Sequence, residues 1–420
     1  MASAYLSRTI GTPTNAKKWT ISFWVKLMKT PANSYDLIHS GASGSDEVLL
    51  HRYESDGTVS SKEDDTSGGG TTWGLYGDRK FRDFNGWQHW VHAYDSTQST
   101  AADRYKVYIN GVNRRNNNET FATDQTVPLN FESNINTSGQ TLNIGKRTFD
   151  TANYFNGQLA HVHFIDGIQY DASTFGETDS STGIWTPKTS PSVTYGNNGF
   201  FLKFDNSANM GLDSSGQGNN LTTNGTIIQT KDTPSNVFST LNPLVNIGTT
   251  SRAISNLATT FNTSTTAWGN LLSTLTFSKG KYYAEVKIDT LTSSTGYGGF
   301  GITDATEDTT ANDTIGNVSS KSAAVTFDHR NNASQLKSAG SAVTSNIGNF
   351  SNGDILGLAV DMDNRALYVH LNGTYYQINS VTGVPTSGAS KTGAITIPTT
   401  CVDCVFFSAS YTANAKTTFN

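Results

Sequence analysis

The chain has 420 residues, room for two or three domains, because single hydrophobic cores stop growing at roughly 250–300 residues. Only 15% of residues are charged and the net charge is −5, so no broad positive field exists to hold a phosphate backbone or an anionic membrane, which argues against nucleic acid as a partner. No run approaches the roughly 18 apolar residues of a membrane span, and 17 Tyr, 21 Phe and 7 Trp supply enough large side chains to fill cores, which argues against disorder.

The opening residues 1–8 contain no apolar export segment. From Trp19 to Leu27 apolar and polar residues alternate, which predicts a half-buried strand with Trp19, Ile21, Phe23, Val25 and Leu27 on one face and Thr20, Ser22, Trp24 and Lys26 on the other. Residues 54–70, with Lys62-Glu63-Asp64-Asp65 and a Gly run, read as a polar surface loop. Residues 87–94 and 105–109 read as strands, and Asn110-Gly111 is the dipeptide of a tight hairpin because both residues tolerate positive φ. Further short strands follow at 142–145 and 159–165, the latter with His161 and His163 in alternation on one face.

After Lys231-Asp232-Thr233-Pro234 the pattern restarts, dividing the chain into domains at 1–230 and 235–420. In the second, Tyr282, Ala284, Val286 and Ile288 share a face. Leu356, Leu358 and Val360 pair with Leu367, Val369 and Leu371 across a turn at Asp363-Asn364, and Asn372-Gly373 marks another hairpin. Long amphipathic helices and heptads are not predicted. Cys401 and Cys404 are the only cysteines; they read as small strand residues, with no disulfide framework and folding in a reducing cytoplasm.

The ordered set Trp19–Val25, Trp87–Val91, Val107–Gly111, Leu142–Gly145 and Phe155–Ala160 resembles the laminin-G-like, concanavalin-type domain. Phe204-Asp205 followed by Asp213–Asn220 resembles the strand and turn that usually open such a domain; placed last, they imply a permuted sandwich in which residues 199–204 supply a strand otherwise given by the N-terminus. Gly280–Val286, Gly299–Ile302, Gly353–Gly357, Asp361–Asp363 and Leu371–Gly373 resemble a SPRY domain, a family whose last strand usually continues beyond the Phe419-Asn420 seen here. The fold class expected is all-β, two concanavalin-like antiparallel β-sandwiches of jelly-roll type in tandem. The tandem, with Tyr5–Arg8, Phe164–Gly167 and Asp232–Ser235, also resembles proteins of tailed phages of marine bacteria. That likeness implies a virion surface protein, a capsid decoration or short fibre assembled in the host cytoplasm and carried in many copies or as a homo-oligomer. Its partners would be phage capsid or tail proteins and host or environmental glycans. A structural cement contacting only neighbouring subunits, and a polysaccharide depolymerase, are the alternatives.

No catalytic residue is nominated. A glucanase of the concanavalin type carries Glu-x-Asp-x-Glu on one strand, whereas Glu285-Val286-Lys287-Ile288-Asp289 puts a lysine at the middle acid. Asp304, Asp308 and Asp313 lack a paired base. For glycan binding, Trp73 and Tyr76 offer rings for sugar C–H faces, with Arg79 and His51 as donors; each of these equally fills a sandwich edge. Related lectin-like sandwiches imply calcium, for which Asp213, Asn219 and Asn220 offer oxygens, although Asx-turns explain the same residues. His161 and His163 chelate zinc only where His89 or His92 converges on them.

Overall fold

The computed structural model describes residues 3–28, 31–43, 46–65, 70–84, 86–116, 119–149, 152–242, 252–255, 260–263, 269–290, 298–306, 325–329, 335–345, 347, 350–410 and 416–419. The chain divides into two compact units, Met1–Phe238 and Ser239–Asn420.

The first unit opens with β1 (Tyr5–Thr9), β2 (Lys18–Leu27), β3 (Ser34–Ser43), β4 (Asp46–Glu54), β5 (Val59–Asp65) and β6 (Gly70–Gly77). Next come β7 (Gln88–Asp95), β8 (Tyr105–Ile109), β9 (Val112–Asn113), β10 (Phe121–Gln125) and β11 (Thr141–Ile144). It ends with β12 (Gly157–Asp166), β13 (Gly176–Thr178), β14 (Trp185–Pro187), β15 (Phe200–Leu202) and β16 (Thr222–Asn224). An eight-stranded sheet runs β10-β6-β5-β4-β3-β11-β1-β16, and a six-stranded sheet runs β15-β12-β2-β7-β8-β9. Their inner faces bury Trp19, Phe23, Val48, Leu50, Trp73, Trp90 and Tyr94 in one core, in which the Trp19 and Tyr94 rings stack at 4.9 Å.

The alternation in β2 places its apolar set in that core, but the other face is buried too. Thr20 donates to the Ile168 carbonyl, Ser22 bonds His89, Trp24 stacks on His89, and Lys26 pairs with Asp232 at 2.8 Å. The β13–β14 hairpin contributes Trp185, whose Nε1–H donates to His89 Nδ1. The expected half-buried strand is therefore buried on both sides. Residues 59–65, expected in a loop, form β5. Glu63 turns inward to accept the Trp73 indole N–H and the Ser133 hydroxyl, while Lys62 bonds Asp64 on the other face. Charge masked a period-two pattern whose inward carboxylate is satisfied by core donors.

β15 pairs with β12, with Phe164 opposite Phe200, and β16 pairs with β1. Both sheets are thus completed at one edge by residues after 199. Asn110 and Gly111 take φ of 47° and 84°, as the hairpin signal demands.

The second unit comprises β17 (Arg252–Ser255), β18 (Thr260–Thr263), β19 (Gly269–Phe277), β20 (Lys281–Thr290), β21 (Gly298–Asp304) and β22 (Val325–His329). They are followed by β23 (Gln335–Ser338), β24 (Ser341–Ser345), β25 (Ile355–Asp361), β26 (Ala366–Leu371) and β27 (Thr374–Tyr375). The last are β28 (Gln377–Ile378), β29 (Val381–Thr382), β30 (Ile395–Thr396), β31 (Cys404–Ser410) and β32 (Lys416–Phe419). One sheet runs β17-β18-β32-β20-β25-β26-β27 with β30 beside β26, and the other β19-β31-β21-β22-β23-β24. Leu358 faces Val369 and Val360 faces Leu367 in the predicted register, and Ala284, Val286 and Ile288 enter the core. Tyr282, expected with them, lies at the strand end, 41% exposed and stacked on Phe277. Cys401 and Cys404, read as unpaired, are joined as a disulfide.

Candidate functional site

The outward face of the eight-stranded sheet is charged, and strand register fixes which side chains share it. Asp36 lies opposite Arg52, Arg52 opposite Ser60 and Ser60 opposite Tyr76, so these four form a row across β3 to β6. A neighbouring row sets His39, Leu49, Lys62 and Gly74 side by side, and Glu47 faces Asp64 beyond it.

Two carboxylates form the floor. Glu47, fully buried, receives Arg147 through two bonds of 2.9 and 2.7 Å, lies 3.4 Å from Lys62 Nζ, and takes a bond from His39 Nε2 at 3.0 Å. Burial works against the Glu47 carboxylate, but the His39 and Arg147 bonds overcome it and hold its pKa below the usual range. His39 stays a neutral donor: burial lowers its pKa, and its Nδ1 already accepts the Thr148 backbone N–H. Asp36 is the other floor residue, fully buried, with Arg52 Nε 3.5 Å from one oxygen and no hydrogen-bond partner for either among the described residues. Burial pushes its carboxyl up to about 6, against the pull of Arg52 and Arg147.

Above the floor stand partly accessible donors. The side chains of Arg52, Lys62 and Arg147 are 23%, 20% and 20% exposed. Burial disfavours the Lys62 ammonium, but its bond to Asp64 more than restores it, and the pKa is raised. Arg147 stacks over the Phe149 ring at 4.5 Å, and Phe149 is 40% exposed. Tyr76 is half-buried and lies back along its strand; a Cβ at Gly74 would come within 2.8 Å of Tyr76 Cε2, so glycine there makes room for the ring. The result is a set of oriented donors whose charge is balanced from beneath, with a ring at each side.

The four residues nominated for glycans are divided by the fold. Tyr76 is on this face, and Arg79 is exposed just past β6 with its guanidinium 5.2 Å from the Phe81 ring. Trp73 and His51, expected at the ligand, are instead core residues, 1% and 0% exposed, with Trp73 bonded to Glu63 and His51 to His92. Neither ring is open to a ligand. No local spacing announces this set: cross-strand register brings Asp36, Arg52 and Lys62 together, and Arg147 reaches Glu47 from the segment after β11.

The calcium set does not fit an ion. Asp213 Oδ1 accepts the N–H groups of Phe201 and Ser215, and Oδ2 accepts from Ser215 Oγ and the Asn219 N–H. Asn220 Oδ1 accepts the Asp213 N–H, and Asn219 Oδ1 takes the Arg8 guanidinium. These oxygens tie the turn to β15, and a cation already stands beside them. His161 and His163 do not alternate on one face as their spacing predicts. A bulge between Ala160 and His163 puts His161 at φ 48° and breaks the alternation, while His163 packs 3.9 Å from Phe201 and bonds the Tyr195 hydroxyl. Among the described residues no three His, Cys, Asp or Glu side chains are placed to hold a metal. In the second unit Glu285 bonds Tyr283 and Asp289 bonds Thr418, while Asp304 accepts the Val402 and Asp403 N–H groups; Asp308 and Asp313 lie outside the described residues.

Residues 2–169 match the concanavalin A-like lectin/glucanases superfamily. The matched stretch holds β1 to β12 and ends before β15 and β16 complete the two sheets. No curated protein matches the chain in sequence. Among solved structures it is similar to the SPRY domain of human HERC1, at 13% identity and a TM-score of 0.31, covering 40% of this chain and 91% of that one. It is similar to a heptameric SAP-like pentraxin from Limulus polyphemus, at 16% and 0.27, covering 40% and 72%. A third is carbohydrate binding module CBM66 from Bacillus subtilis, at 9% and 0.26, covering 42% and 91%. The fold is all-β, built from antiparallel concanavalin-like sandwiches.

Proposed function

We propose that this chain is a non-catalytic carbohydrate-binding protein whose glycan site is the outward face of β3 to β6. The observation that carries the reading is the placement of Arg52, Lys62 and Arg147, each partly exposed and held by a carboxylate, between the rings of Tyr76 and Phe149. Donors fixed in advance lose little entropy on binding, and rings beside them take sugar C–H faces, a combination suited to an uncharged polyhydroxylated ligand. The superfamily match, whose description names lectins and glucanases, supports this choice of ligand. Arg79 serves as a rim donor.

The finer reading is display on a phage particle, as capsid decoration or short fibre, where many copies raise avidity without new contacts. It rests on the resemblance of the tandem to tailed-phage proteins. Mass spectrometry of purified particles tests it, and absence of the chain from them contradicts it.

A glycan array on the full chain tests the binding. Hits among neutral glycans are expected, with Tyr76→Ala weakening them about tenfold, the loss of one stacking contact. Hits unaffected by Tyr76→Ala and by Arg52→Ala place the site elsewhere, and release of reducing sugar from a hit replaces binding with hydrolysis.

A further inference from the structure

The outward face of the second unit carries a cluster that the glycan reading does not use. Glu285 on β20 faces Gly357 on β25, Gly357 faces His370 on β26, and His370 faces Tyr375 on β27. A side-chain carbon at Gly357 would collide with the His370 ring, so glycine lets the imidazole lie across the strand. There His370 Nδ1 accepts the Gly373 N–H at 3.1 Å, which leaves Nε2 to donate to the Tyr283 hydroxyl at 2.6 Å. Tyr283 passes its own proton to a hydrogen bond with Glu285. The chain of bonds locks Tyr283, although its side of the sheet is open and the residue is 52% exposed.

The rings make a corner. Tyr283 is nearly parallel to His370, at 20°, and Tyr375 stands at 76° to the same imidazole, 5.1 Å away. Charges on this face are matched elsewhere, Lys281 to Asp361 at 3.8 Å and Lys287 to Asp289 at 3.6 Å. Glu285 has no ion-pair partner among the described residues. Two tyrosine rings at a steep angle, one locked and exposed, beside an unmatched carboxylate, have the charge complementarity of a site for an organic cation.

We propose that the Tyr283–Tyr375–Glu285 corner binds an alkylated ammonium group, with the cation against the Tyr283 ring and its charge met by Glu285. The probe is choline, titrated calorimetrically into the full chain, with 3,3-dimethylbutan-1-ol as its uncharged isostere. Saturable choline binding is expected, with the isostere about fivefold weaker, because an exposed cation–π contact and the Glu285 charge both favour the cation. Glu285→Gln weakens choline by up to about fivefold, Tyr283→Ala abolishes binding, and Tyr283→Phe, which keeps the ring and loses the lock, retains part of it. Circular dichroism melts verify that the variants are folded; should Tyr283→Ala unfold, Glu285→Gln decides. Equal binding of the two probes, choline binding unchanged by Glu285→Gln or surviving in a folded Tyr283→Ala, or no saturable binding overturns the proposal. Each result is independent of the glycan site in the first unit.

Discussion

Asp36 makes the charged face of the first unit sensitive to pH. Its carboxyl, raised to about 6 by burial, binds more protons in the folded chain than in the unfolded one between its ordinary value of 3.8 and about 6. Stability contributed by this residue is therefore highest below that window and is lost as pH rises through 6, a cost on the order of 3 kcal/mol at neutral pH. Asp36→Asn keeps the shape and removes the titration, so the variant should gain stability over the natural chain at pH 7 and lose that advantage near pH 4. Denaturant midpoints at the two pH values measure it, and an equal difference at both would show that Asp36 is ordinarily ionised. The sequence hides this residue. Trp73 and Tyr76 were legible as aromatics, yet they stand an odd number of residues apart on one strand and cannot share a face. Asp36 and Arg52 meet only through register, which no local spacing carries.

Elements after residue 188 hold the first unit together, and two changes expose their roles. Lys26 on β2 reaches Asp232, which also accepts the Trp87 indole N–H and the Phe238 backbone N–H. Lys26→Met leaves that buried carboxylate without its cation and should cost about 3–5 kcal/mol, read from chemical denaturation. A loss below about 1 kcal/mol would mean the pair is solvated in solution. A chain cut after Lys188 lacks β15 and β16, and with them the buried Phe200, Leu202 and Leu221. It should show no cooperative melt, whereas residues 1–238 should melt cooperatively. Element by element, the sequence was readable where turns need positive φ or faces alternate, as at Asn110-Gly111, Asn372-Gly373 and the β25–β26 pair. It misled where a strand is charged on one side, as in β5, or bulged, as at His161. The two-sided burial of β2 depends on distant segments and had no local signal.

At the scale of the whole molecule, the described buried histidines favour unfolding in acid. The chain has 8 His. Burial holds His39, His51, His89, His92, His161 and His163 of the first unit, and His370 of the second, below their ordinary pKa, with His89 and His92 at about 3. Between 6.5 and about 3 the unfolded chain takes up protons that His89 and His92 refuse, so stability falls with pH by up to ~1.4 kcal/mol per unit for each of these two rings, and the other five act in the same direction. Six of these rings lie in one unit and one in the other. Acid should therefore unfold residues 1–238 first, leaving residues 239–420 folded, as hydrogen exchange of the two units at pH 5 would record. Simultaneous unfolding would contradict that division. The same exchange experiment locates the site. With the full chain saturated by its strongest array glycan at neutral pH, amides of β3 to β6 should gain protection while β7, β8 and the second unit stay unchanged; protection confined to any other surface would contradict the assignment of this sheet face as the glycan site.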